Sequence, residues 1–319
     1  MLHQRLIFGT LLASGIIGLL LADGYLALHP LHYPIGWIDG GGWFSNGALC
    51  TLLVLTLTLL AVSELTSIFR NAGYRPFRFE THFFSAGLVL GPYLSYNLQA
   101  ASPWKDESWG LLWMAVALAN VFLVQAVRRR TEKVLTNLST SIFIIFYAGG
   151  LAGFMTKLRM EIGGVEGVTL LLYSMFVVKM TDVGAYFVGR MFGRTKLVPW
   201  LSPKKTWEGL LGGYVVAVAS AFGGAQLVLF CHLAPHYETV LAPGWLLLAF
   251  ALLMATFSTA GDLCESLIKR DADVKDSGRA IPGMGGVLDI LDSPLLAAPA
   301  AWFFWARVVP MLNSLEFST

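Results

Sequence analysis

Nine runs of mostly apolar residues, at 5–28, 47–69, 82–100, 108–127, 136–156, 168–189, 208–231, 243–265 and 287–310, alternate along the chain with short polar segments. Each is close to the roughly 20 residues that a helix needs to cross a bilayer. The pattern predicts an all-α, polytopic membrane protein with about nine transmembrane helices. One basic residue, Arg5, precedes the first run, as in a signal peptide. That run is longer than a usual signal-peptide core, and no A-x-A-like cleavage site follows around Asp23-Gly24-Tyr25, so it reads as a retained anchor.

Composition removes the soluble alternatives. Of 319 residues, 56% are hydrophobic and 13% charged, with a mean hydropathy of +0.65. A soluble domain carries about one quarter charged residues, and half of that is too few to cover a wet surface. The abundance of large apolar residues excludes a disordered chain. Cys50, Cys231 and Cys264 all fall in apolar stretches and form no disulfide framework. The net charge of +2 carries little information and no nucleic-acid partner is expected, but the placement of the charges is informative. With the N-terminus inside, Arg5 and the segments 70–81, 128–135, 190–207 and 266–286 hold 17 of the 22 Lys and Arg residues. The other side then holds only Lys105, Lys157, Arg159 and Arg307, and Lys179 lies within a run. Positive charge collects on the cytoplasmic side, which predicts a cytoplasmic N-terminus and an outside C-terminus in a bacterial-type inner membrane. Trp37, Trp43, Trp104 and Trp109 at the outer ends fit an interfacial aromatic belt.

The chain divides into 1–165, about five structural helices with a surface for oligomerisation as a homodimer, and 166–319, where acidic residues join the basic ones at helix ends. Three segments of the second part carry chemistry. In Lys179-Met180-Thr181-Asp182…Gly189-Arg190, a Lys and an Asp stand three apart within a span, where each costs roughly 3 kcal/mol on insertion scales, so they should face protein, water or ligand. A structural ion pair is the plainer alternative. In Gly193 to Gly209, the cations Arg194, Lys196, Lys204 and Lys205, a rigid Ser202-Pro203 and a potential cap at Thr206 form an anion cradle at a helix start, or else a loop serving topology alone. In Gly261 to Ser293, Asp262, Glu265 or Ser266, and Lys269 share one helix face, and Asp289 and Asp292 share another. Carboxylates on two helix ends joined by a Gly-containing loop supply hard oxygen donors of the kind that hold Mg²⁺ beside substrate phosphates. Alternatively Lys269, Arg270 and Lys275 neutralise those acids without a metal.

Across the third segment the sequence resembles the phosphatidate cytidylyltransferase (CDP-diacylglycerol synthase) family. The signature S-x-x-K-R-x4-K-D-x-[GSA]-x2-[LIF]-[PG]-x-H-G-G-x-x-D-R-x-D is met by Ser266, Lys269, Arg270, Lys275, Asp276, Gly278, Ile281, Pro282, Gly285, Gly286, Asp289 and Asp292. Met284 and Ile290 replace its His and Arg. The likeness continues upstream through Asp182, Ala185-Tyr186 and Gly189-Arg190 and through Ser202 to Gly209. It implies transfer of CMP from CTP to phosphatidic acid at a membrane, giving CDP-diacylglycerol and pyrophosphate. It implies metal-bound acids at Asp262 and Asp289, with Asp276 and Asp292 ranked next, Mg²⁺ as the metal and room for a second cation. Asp262, Asp289, Asp276 and Lys275 are the expected catalytic residues. Asp182, Arg190, Ser202, Lys204, Lys205, Ser266, Lys269, Arg270, Gly285 and Gly286 are the expected substrate-binding ones. A related CTP-dependent lipid nucleotidyltransferase or polyprenol-type kinase would share these parts, and a transporter could use Lys179 and Asp182 for translocation. His29 and His32, His232 and His236, and the glycines at 149, 150, 153, 209, 212 and 213 read as structural.

Overall fold

The computed structural model describes residues 2–29, 46–97, 109–237, 241, 244–274, 277–278 and 285–316, with backbone alone for 2–8 and 313–316. Lys275, Asp276 and Met284, and Trp37, Trp43 and Trp104, lie outside the described residues. The helices are α1 (Leu2–Leu28), α2 (Ala48–Asn71), α3 (Arg78–Asn97), α4 (Trp109–Arg128), α5 (Val134–Ile144), α6 (Leu151–Ile162), α7 (Gly164–Phe192), α8 (Trp207–Phe230), α9 (Gly244–Asp271), α10 (Leu288–Phe303) and α11 (Val309–Glu316). A π-helical turn, Ile145–Gly150, joins α5 to α6, and another, Phe304–Val308, joins α10 to α11. Eight helical stretches among the described residues are long and apolar enough to cross a membrane, and the chain is an integral membrane protein. The ninth expected span is the helix α3, which is more polar. Its Glu80, Thr81 and Ser85 are buried against neighbouring helices, which is how a polar stretch avoids lipid.

The described residues form two compact units: Met1–Met160 with Lys269–Leu291, and Glu161–Ile268 with Asp292–Thr319. In the first unit α3 packs between α2, α4 and the π turn over a core of Phe77, Phe84, Leu88, Ala117, Val121, Leu138 and Ile145. Glycines in the π turn and in the first turn of α6 are there for a steric reason. A Cβ on Gly149 would overlap the backbone of Ser85, and one on Gly153 the carbonyl of Leu88. Arg159, which the sequence places among the outer-side charges, is fully buried on the last turns of α6, with Nε donating to Asp23 Oδ2 of α1 at 2.7 Å. Asp23 Oδ1 also accepts the Leu49 and Cys50 N–H groups, capping α2.

In the second unit α7 and α8 lie in extended contact, made possible by Gly184, Gly209, Gly212 and Gly213, where a Cβ would press on the opposite helix. Tyr173, Phe250, Phe304 and Trp305 form an aromatic cluster with centroid separations of 5.0–5.9 Å, and Trp305 Nε1 donates to Ser174 Oγ at 3.1 Å. The segment expected to be a loop between α7 and α8 contains a small antiparallel hairpin, β1 (Lys196–Val198) and β2 (Ser202–Thr206). Helix α9 runs to Asp271, six residues past the expected end of its apolar span, and carries Ser266 and Lys269 on the helix as the spacing from Asp262 expects, with Arg270 beside them.

Candidate active site

The first cluster belongs to the first unit and is organised around the start of α10. Asp289, in the first turn of that helix, folds its carboxylate back over the preceding loop. Its Oδ2 accepts the Gly286 N–H at 2.7 Å, the Ser277 N–H at 3.1 Å and the Ser277 hydroxyl at 2.8 Å. Its Oδ1 accepts Lys269 Nζ at 2.7 Å. From α2, Glu64 supplies a second carboxylate, whose Oε1 accepts the Val287 N–H and whose Oε2 accepts the Leu288 N–H, each at 2.9 Å. These are orphan donors at a helix N-terminus, where a negative charge is also favoured by the helix dipole. The Ser277 hydroxyl lies 3.1 Å from Glu64 Oε2 and so bridges the two acids. The glycines of the signature follow from this crowding. Gly285 holds φ at +98°, and a Cβ on Gly286 would collide with Ser277 Oγ and the Glu64 carboxylate.

The second cluster belongs to the second unit. Asp182 of α7 accepts the Ser258 hydroxyl at 2.7 Å and the Ser293 hydroxyl at 3.3 Å through Oδ1, while its Oδ2 lies 3.6 Å from Lys179 Nζ. The same Nζ is 3.8 Å from Asp292 Oδ1, which accepts the Ser293 N–H at 2.6 Å. Lys179 therefore serves two carboxylates, which is more than the i,i+3 pair legible in the sequence. Asp262 Oδ2 lies 2.7 Å from Lys205 Nζ of β2, and the Ser266 hydroxyl is 3.5 Å from Asp262 Oδ1. Gly261 is the contact point between α9 and α10, since a Cβ there would overlap the Asp292 carbonyl.

The hairpin positions the cations of this unit. Thr206 caps α8 by accepting the Gly209 N–H at 3.1 Å, as the sequence predicts. Glu208 accepts the Thr195 N–H at 3.1 and 3.2 Å and closes the hairpin at its base. Lys204 and Arg190 are exposed, Arg190 donating to the Tyr186 hydroxyl at 3.0 Å, and Ser202 is half-buried at the start of β2. Arg270 is exposed at the end of α9. No group of three His, Cys, Asp or Glu side chains converges as a ready-made metal site among the described residues. The donor set nevertheless suits a hard cation: Asp182, Asp262 and Asp292 offer carboxylate oxygens whose charge is balanced by Lys179 and Lys205. At Asp289 the place beside Oδ1 is held by Lys269.

Sequence reasoning missed Glu64, although an acid in the middle of an apolar run is itself a signal. It also missed the pairing of Asp23 with Arg159, and Ser258 as a partner of Asp182.

Each unit thus carries one acid-rich cluster on helices of membrane length, and the second also carries a basic hairpin. The model of the cytidylyltransferase family matches residues 38–308, and the chain belongs to that family. Its curated relatives include a phosphatidate cytidylyltransferase of Synechocystis, 30% identical over 95% of this chain and 98% of the relative. The one from Haemophilus influenzae is 35% identical over 72% of this chain and 75% of the relative. That of Bacillus subtilis is 36% identical over 63% and 71%.

Proposed function

We propose that this chain transfers the CMP group of CTP to phosphatidate, releasing pyrophosphate and leaving CDP-diacylglycerol in the membrane. The observation that supports this most is the pairing of the signature residues Asp289, Lys269 and Gly286, together with Ser277 from an unspecified position of the signature, in one hydrogen-bonded cluster, in a chain whose residues 38–308 match the family. The attacking phosphomonoester has a second pKa near about 6 and is already largely anionic at neutral pH, so no side chain need act as a strong base. The protein must instead bring two polyanions together. Lys204 and Arg190, exposed beside the α8 N-terminus, bind triphosphate oxygens in this reading, and Arg270 and Lys275 of the signature bind phosphate as well. Lys205 and Lys179 balance the carboxylates of the second cluster until substrate arrives. Asp262 and Asp292, with Asp182, would hold Mg²⁺, and Asp289 would hold a second cation in the place of Lys269 Nζ. When bound, the divalent ion neutralises phosphate charge and polarises the α-phosphoryl group. Asp276 remains a supporting residue of the signature loop.

The same proposal includes a cytoplasmic N-terminus, nine crossings that count α3, a bacterial-type inner membrane and a homodimer. Support for the crossing by α3 comes from its length and its buried polar residues, and the dimer is checked by the mass of the solubilised protein. The enzymatic reading is tested by adding phosphatidate and Mg²⁺ to the purified protein with CTP. Release of one pyrophosphate per CDP-diacylglycerol supports it, and CTP consumption that yields CDP in solution supports a lipid kinase instead.

A further inference from the structure

The first unit contains a cleft of about 1060 Å³, none of whose lining residues belongs to the Asp289 cluster, walled by the end of α2, the turn from Gly73 to Phe77, the first turns of α3 and the end of α4. Its lining brings together five guanidinium groups, from Arg70, Arg75, Arg78, Arg128 and Arg129. Two carboxylates oppose them. Glu80, nearly buried, lies 3.7 Å from Arg128, and Glu132 lies 3.5 Å from Arg75 in an exposed pair worth little. Arg129 is held over the Phe77 ring at 4.3 Å and donates to the Arg75 carbonyl. Among the described residues, Arg70 and Arg78 have no carboxylate within ion-pair distance. Burial and, after it, the Arg75 charge disfavour the cationic form of Arg129, while Glu132 and Glu80 favour it. The first turn of α3, with Arg78, Phe79 and Glu80, lines the same cleft.

We propose that this cleft binds the phosphate headgroup of an anionic membrane phospholipid, at a site separate from the proposed reaction. The surface beside the cleft favours a lipid over a soluble phosphate. Phe79 and Phe83, one turn apart on α3, are 71% and 50% exposed and stack at 5.9 Å, forming an apolar rail that starts at the rim of the cleft. A headgroup seated among the arginines would lay an acyl chain along that rail. Arginine forks grip phosphate oxygens in pairs, which separates this role from positive-inside topology, for which any cation serves.

The test is native mass spectrometry of the protein exchanged from phosphatidylcholine micelles containing phosphatidylglycerol, an anionic lipid that is not a substrate in the proposed reaction. Wild-type protein should retain phosphatidylglycerol. The Arg70→Gln/Arg78→Gln double variant should lose about tenfold in retention, and Arg70→Lys/Arg78→Lys, which preserves charge and topology, should still lose severalfold. CTP turnover in both variants should match wild type, which also shows that they are folded. Equal retention in all three proteins overturns the proposal. So does displacement of the lipid by millimolar inorganic phosphate, which would mark the cleft as a soluble-anion site.

Discussion

Glu64 is the residue whose removal should be most instructive. Its carboxylate caps two N–H groups at the start of α10 and meets Ser277, so Glu64→Gln keeps the shape and weakens the cap. Loss of a helix cap costs typically about 1 kcal/mol. The expected outcome is a modest fall in thermal stability and a fall in kcat of about tenfold or more with little change in the KM for CTP, since the loop that presents Asp289 loses its anchor. Steady-state kinetics beside a melting curve check this, and an unchanged kcat would show that the cap is only structural. Asp262→Asn and Asp292→Asn should each nearly abolish turnover while leaving the melting temperature close to wild type, because each removes a charge from the oxygen set expected to hold Mg²⁺. Spacing alone placed Asp262, Asp289 and Asp292 at helix ends, where acids in a membrane need a partner, and left open whether that partner is a metal or a neighbouring cation. Glu64 was not legible, because its partners are more than 200 residues away and backbone N–H groups leave no trace in the sequence.

Between α7 and α8, the hairpin separates two roles for its lysines. Lys205 is 2.7 Å from Asp262, whereas Lys204 is exposed. If both serve only topology, changing them to Arg should be harmless. If the geometry divides their work, Lys204→Gln should raise the KM for CTP severalfold, and Lys205→Gln should lower kcat because it leaves Asp262 without its counter-charge. Kinetics of the two single variants at several CTP concentrations decide the matter, and identical behaviour would contradict the division. The apolar runs predicted eight of the helices to within a few residues at most ends, because burial in lipid imposes a minimum length. The hairpin was not legible: its strands span three and five residues, too short for a period to show, and they are set by the Glu208 and Thr206 contacts. Hydropathy alone ended the span of α9 at 265, whereas the helical spacing of Asp262, Ser266 and Lys269 carried the helix further.

The buried Asp23–Arg159 pair ties α1 to α6 and so bears on the stability of the protein as a folded body. Removing one partner leaves an uncompensated buried charge, so Asp23→Asn should destabilise the protein by roughly 3–5 kcal/mol, seen as a lower midpoint of thermal aggregation in detergent. The charge distribution further predicts that single cysteines placed in the hairpin or after α9 stay unmodified when intact cells meet an impermeant thiol reagent. Ready labelling would invert the proposed topology. The proposed reaction itself is decided by following the phosphorus. Two parallel reactions of the purified protein with phosphatidate and Mg²⁺ would use CTP labelled at the α- or the γ-phosphate. Transfer of CMP predicts that the α label enters the lipid fraction and the γ label leaves as pyrophosphate. Entry of the γ label into lipid, or of neither, would contradict it.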